Sequence, residues 1–140
     1  MKIASIMTKA FVSVSLDDTL LTIKNIFEHA NFHHLLVVDN KQLSGVISDR
    51  DLLKALSPNI GTAAELPRDT ATLNKKAHQI LNRKLVTLTP NANVFDAIDI
   101  FNQTKTSCIP IVDENSIPVG ILTWRDIMKT LGDKNAERRN

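Results

Sequence analysis

The chain has no tyrosine, one tryptophan, one cysteine and four glycines in 140 residues. Aromatic residues make up only 4% of it, so stacking platforms for nucleic-acid bases are poorly supplied. The single cysteine, Cys108, has no partner for an internal disulfide, and a reducing cytoplasm is the expected setting. No run of 18 apolar residues exists, so no membrane span is expected. Met1-Lys2-Ile3-Ala4-Ser5 is not followed by a long apolar core, and no secretory leader is expected. Neither sign of charge dominates: 17 Lys and Arg face 15 Asp and Glu, for a net +2. Nucleic-acid binders usually carry a basic stripe; here no block of like charge precedes Arg138-Arg139. No nucleophile–base pair and no metal-ligand spacing stands out, so neither an enzyme nor a metal centre is expected.

What the chain does have is a repeat. Val12-Ser13-Val14-Ser15 returns as Val86-Thr87-Leu88-Thr89, an offset of 74. Leu20, Ile23 and Phe27 return as Val94, Ala97 and Phe101, and Leu36-Val37-Val38-Asp39 as Pro110-Ile111-Val112-Asp113. One residue is then inserted, and Gly45-Val46-Ile47-Ser48-Asp49-Arg50-Asp51 matches Gly120-Ile121-Leu122-Thr123-Trp124-Arg125-Asp126 at 75. Two copies, 1–56 and 80–132, flank a segment 57–79, and a polar tail 133–140 follows.

Each copy reads as strand, helix, strand, turn, strand, helix. Helical spacing follows Asp17 or Asp18 in the first copy and Asn91 in the second, residue types that start helices. The β-branched runs ending at Val38 and Val112 read as buried strands bounded by Asp-Asn and Asp-Glu-Asn turns. Ser48 and Thr123 start the closing helices, and Gly132 is expected to end the last one and let the tail fray. Pro58, Gly61 and Pro67 make the first half of the connecting segment irregular, with a helix expected over 72–81. A copy of this size buries too little apolar surface alone. Two related by a pseudo-twofold, packed through their sheets, would share a core and leave paired clefts.

The informative motif is Gly-x-x-Ser/Thr-x-x-Asp, at Gly45/Ser48/Asp51 and at Gly120/Thr123/Asp126. Its carboxylate can accept hydrogen bonds from both hydroxyls of a ribose, while the helix start meets a phosphate. The same spacing is nearly a capping box, in which the acid serves only its own helix. Both readings stay open here. His33 and His34 are adjacent at a strand start and point to opposite faces; they read as one solvated and one packed histidine. Cys108 reads as a buried structural thiol.

With Ile6-Met7-Thr8, the two apolar strands and the two motifs, the chain resembles a tandem pair of cystathionine β-synthase (CBS) domains, called a Bateman module, of the free-standing bacterial or archaeal type. The resemblance implies an α/β fold of two β-α-β-β-α repeats and a regulatory, energy-sensing role without catalysis. It implies AMP, ADP, ATP or S-adenosylmethionine as regulatory ligand, with no required cofactor. One cleft would use Thr123 and Asp126, with Ile121, Thr8, Val12 and His33 at its base and mouth. The mirrored cleft would use Ser48, Asp51, Val46, Asn82, Val86 and Ser107. Leu36 departs from the proline that Pro110 supplies in the second copy, and Asn82 from the usual Ser or Thr. A homodimer is expected, through Leu52, Leu56, Ile127, Met128 and Leu131, with an unidentified effector protein as a further partner. The alternative is a structural dimerisation module whose clefts bind nothing.

Overall fold

The computed structural model describes residues 1–139. It is a mixed α/β structure with two small sheets, divided into two compact units. One comprises Val12–Lys84, and the other joins Met1–Phe11 to Leu85–Asn140.

The contiguous unit runs β1 (Ser13–Val14), α1 (Leu20–His29), β2 (His34–Asp39), β3 (Gln42–Ser48), α2 (Asp49–Ala55), then short helices α3 (Pro67–Thr70) and α4 (Ala77–Ile80). Its sheet order is β1-β2-β3, with β1 parallel and β3 antiparallel to β2. Val14, Leu20, Ile23, Leu35, Val37, Ile47, Leu52 and Ala77 form the core.

The composite unit runs α5 (Val94–Gln103), β4 (Cys108–Val112), β5 (Pro118–Thr123) and α6 (Trp124–Arg139), with β4 and β5 antiparallel. Ile3, Val94, Ala97, Ile109, Ile111, Leu122 and Ile127 form its core. At the repeat offsets these two cores correspond position by position except at Val14, whose counterpart Leu88 is only partly buried. Leu20 answers Val94, Leu35 answers Ile109, Ile47 answers Leu122 and Leu52 answers Ile127. Even Ala77, from the end of the connecting segment, answers Ile3.

The caps differ from the expected ones. Thr19, not Asp17 or Asp18, caps α1 by accepting from the Thr22 N–H. Asp18 is occupied instead by the Ser15 N–H at 2.7 Å. Asn93, not Asn91, caps α5. The single-residue insertion falls in the hairpin turns. In the first, Asn40 and Lys41 take positive φ, 49° and 69°, the tight two-residue form. In the second, Ser116 has φ 63°, and Asp113 Oδ1 accepts the N–H groups of Asn115 and Ile117.

The second copy lacks the expected first strand. The Leu36 N–H donates to the Val12 carbonyl at 3.1 Å, but its counterpart Pro110 has no N–H to give. Only the Leu88–Ile111 bridge survives, and Val86 is left 44% exposed. Nor is 72–81 one helix. A 3₁₀ turn at Ala71–Asn74 gives way to extended backbone at Lys75 and Lys76, then to α4. The cause is pairing with the start of α1: Leu20 N–H bonds the Lys75 carbonyl, and Ala77 N–H the Asp18 carbonyl.

Gly132 does not end α6, which continues to Arg139; Asn140 lies outside the described residues. A glycine in an exposed helix costs only about 1 kcal/mol. Ala136, Glu137 and Arg138 favour helix, and cations suit its C-terminal end.

Two glycines are required by close approach. A Cβ at Gly45 would collide with Leu81 Cδ1 and sit 2.8 Å from the Asn82 carbonyl oxygen. At Gly120 it would meet Met7 Sδ at 2.7 Å and the Thr8 carbonyl at 3.1 Å. Gly45→Ala should therefore lower stability by about 1–3 kcal/mol. Gly120→Ala should cost less, because the flexible Met7 side chain can swing aside. Urea unfolding midpoints of the two variants check the order.

Candidate functional site

Each motif lies where an antiparallel strand hands over to a helix. In the composite unit that corner is Gly120 to Asp126, with the N-terminal segment laid along it. Thr8 and Ile121 exchange two backbone hydrogen bonds, both 2.9 Å. This brings Thr8, Ile121, Thr123 and Asp126 together. Asp126 Oδ2 accepts the Thr123 N–H at 2.8 Å and the Thr123 hydroxyl at 3.2 Å. Its other oxygen, Oδ1, accepts the exposed Thr8 hydroxyl at 3.0 Å. The carboxylate is thus a helix cap on one oxygen and something more on the other.

In the contiguous unit the same corner holds Val46, Ser48, Asp51 and Asn82. Ser48 and Asp51 form a full capping box: Ser48 N–H to Asp51 Oδ2 at 2.9 Å, and Asp51 N–H to Ser48 Oγ at 3.0 Å. Asn82 pairs with Val46 by two backbone bonds, 2.9 and 3.2 Å. Its side chain turns back to accept the Lys84 N–H at 3.0 Å. It does not do for Asp51 what Thr8 does for Asp126.

The remaining candidates each belong to the other unit from the motif they were assigned to. Val12 and His33 lie in the contiguous unit, Val86 and Ser107 in the composite one. Val12 is half-buried and gives its carbonyl to Leu36; Val86 is exposed in the unpaired stretch. His33 is solvent-facing, and its Nδ1 lies 2.8 Å from Asp49 Oδ2. Burial, above all, lowers the pKa of the half-buried His34.

Two carboxylates were missed. Asp49 carries the His33 contact and sits inside the motif itself. Asp69, 6% exposed, accepts the Ser57 hydroxyl at 2.7 Å and the Leu66 N–H at 2.8 Å. These bonds hold its carboxyl below the usual range, the Ser57 one most, and they knot the connecting segment. The Leu66-Pro67-x-Asp69 pattern, proline at the first helical position and an acid two later, was its signal.

Among the described residues, no cluster of three or more His, Cys, Asp or Glu side chains is placed to hold a metal ion. None of their helices is long and apolar enough to cross a membrane. Of the residues expected at a dimer surface, Leu52 and Ile127 are buried in the unit cores, whereas Met128 and Leu131 are 58% and 54% exposed. Leu53, at 74%, takes the outward place on α2.

A family model described as the CBS domain matches residues 3–58 and again 77–133. The chain belongs to the CBS domain family. It is 26% identical over 140 residues to the uncharacterised Methanocaldococcus jannaschii protein MJ0188, covering 99% of this chain and 47% of that protein. The chain therefore spans about half that relative's length. The CBS domain pair of MJ0100, solved with 5′-methylthioadenosine and S-adenosylmethionine, superposes with a TM-score of 0.79 at 24% identity, covering 96% of this chain and 98% of that one. CBSX2, solved with AMP, gives 0.79 at 20% identity, covering 96% and 98%. At these identities the likeness is one of fold.

Cys108 is buried on β4, opposite Thr123. Burial first, and then the Asp126 charge, pushes its thiol up to about 12. The folded state thus keeps a proton that the unfolded chain releases near pH 8.5. Stability should fall as pH rises from there toward 12, and Cys108→Ala should flatten that decline. Below it, alkylation by iodoacetamide at pH 8 should be slow in buffer and accelerate with the urea unfolding transition. Fast labelling of the folded protein would contradict this burial.

Proposed function

We propose that this chain is a regulatory sensor of adenosine compounds, without catalysis of its own, working in the cytoplasm where such nucleotides are held. The observation that carries the reading is the Thr8 hydroxyl on Asp126 Oδ1. A helix cap needs one oxygen, and Asp126 has a second that already receives an alcohol O–H from an exposed side chain. A ribose hydroxyl is the same donor chemistry. It can replace Thr8 there while Oδ2 keeps the cap. The Thr123 hydroxyl and the N–H groups at the start of α6 suit a phosphate. The adenosine ligands of MJ0100 and CBSX2 support the choice of ligand class.

Calorimetric titration with adenosine compounds and their 2′-deoxy analogues tests this reading. Asp126→Asn and Asp126→Ala should weaken adenosine binding by on the order of tenfold or more, the value of a hydrogen bond to a charged group. The deoxy compounds should bind the unaltered protein poorly and lose little more. A cap alone would cost about 0.5–2 kcal/mol of stability and leave affinity unchanged. That outcome would favour the alternative of a structural module with non-binding clefts.

We further propose that the chain acts as a homodimer and passes ligand occupancy to an effector protein. Phe95, Met128 and Leu131 are more than half exposed on α5 and α6. Beside them lies an apolar groove of about 270 Å³ lined by Ile6, Val94, Ile98 and Ile127 among others. Leu21 and Leu53 hold the positions equivalent to Phe95 and Met128 and are exposed too. Paired apolar faces of this kind suit an isologous contact. Light scattering should report twice 15.6 kDa at micromolar concentration.

A further inference from the structure

The two motif helices form an internal control for charge. Ser48-Asp49-Arg50-Asp51 is followed three residues on by Lys54, and Thr123-Trp124-Arg125-Asp126 by Lys129. The motif acids, the arginines and the lysines match. The difference in formal charge within these stretches is one residue, Asp49 against Trp124. It stands directly after the hydroxyl of the motif, on the first turn of each helix. Its partner His33 does not remove the charge from the corner. The side chains of that pair are 62% and 47% exposed, and a solvated pair of this kind is a weak one. Trp124, 57% exposed, puts a neutral indole at the same place.

Resting on the adenosine-sensing reading, we propose that this position sorts ligands by charge. Asp49 reserves the Ser48–Asp51 corner for adenosine compounds without phosphate, and Trp124 leaves the Thr123–Asp126 corner open to phosphorylated ones. The physical basis is like-charge repulsion. A phosphate held by the Ser48 hydroxyl lies within a few ångströms of the next residue's carboxylate, a separation at which a unit charge shifts affinity by on the order of tenfold. A neutral 5′ substituent feels no such penalty. The sorting follows from a single substitution between the copies.

Trp124 also supplies the readout. It is the only tryptophan, and there is no tyrosine, so ultraviolet emission is a reporter placed at the Thr123–Asp126 corner. The full chain is titrated with AMP and with 5′-methylthioadenosine, by calorimetry and by emission, as wild type and as Asp49→Asn. AMP should fill first a site that changes Trp124 emission, with a second site weaker by on the order of tenfold and silent in emission. 5′-Methylthioadenosine should show no such preference. Asp49→Asn should strengthen the silent AMP site by on the order of tenfold and leave 5′-methylthioadenosine affinity unchanged, which also shows that the variant is folded. The reverse variant, Trp124→Asp, followed by calorimetry, should weaken the first AMP site alone. Sorting by charge is overturned if AMP fills the silent site first, or if Asp49→Asn leaves AMP binding unchanged while both compounds bind. Failure of both compounds to bind the wild type overturns the adenosine-sensing reading and this inference with it.

Discussion

Two short backbone bridges hold the rest in place. Thr8 with Ile121, and Asn82 with Val46, each pair a passing segment to the inner end of a motif strand. The close approach demands glycine next door, at Gly120 and Gly45, because a methyl group there would strike the passing chain. The bridges also carry Ile3 and Ala77 into the two cores. The helix starts and the capping carboxylates sit one turn beyond these bridges.

Much of this was legible in order and kind. The repeat predicted the paired cores, because buried positions recur at fixed offsets whatever the identity of the residues. The motif helices begin after Ser48 and Thr123 as expected, since a hydroxyl followed by an acid three residues on is a strong local signal. What failed were features set by distant backbone. The helix expected at 72–81 has reasonable propensity throughout, but Lys75 and Lys76 are pulled straight by hydrogen bonds to residues far back in the chain. The lost first strand of the second copy depends on a missing N–H at Pro110, twenty-odd residues from the stretch it leaves unpaired. The N-terminal segment reads in sequence as the head of the first copy, yet it packs with the second. Nothing local distinguishes those two fates.

On the proposed reading, one carboxylate serves structure and recognition together. A capping box fixes the rotamer and position of Asp126 before any ligand arrives, so little ordering entropy is left to lose on binding. Asp51 is held in the same way. The two differ in what the passing residue does: Thr8 gives its hydroxyl to Asp126 Oδ1, whereas the Asn82 side chain accepts the Lys84 N–H. That difference traces to Thr8 and Asn82, residues of the passing segments and not of the motifs.

The exchange of segments also sets an order of assembly. Val12–Lys84 is continuous in the chain, so on the ribosome it can collapse as soon as its last residues emerge. The composite unit has to wait. Its first strip, Met1–Phe11, is made before the contiguous unit, but the strand that strip pairs with is made only after that unit. Closing that long loop carries an entropic cost that grows only slowly with its length. With the contiguous unit already folded, much of the intervening chain is no longer slack. The early-folding unit thereby shortens the effective loop that the N-terminal strip must close to reach β5.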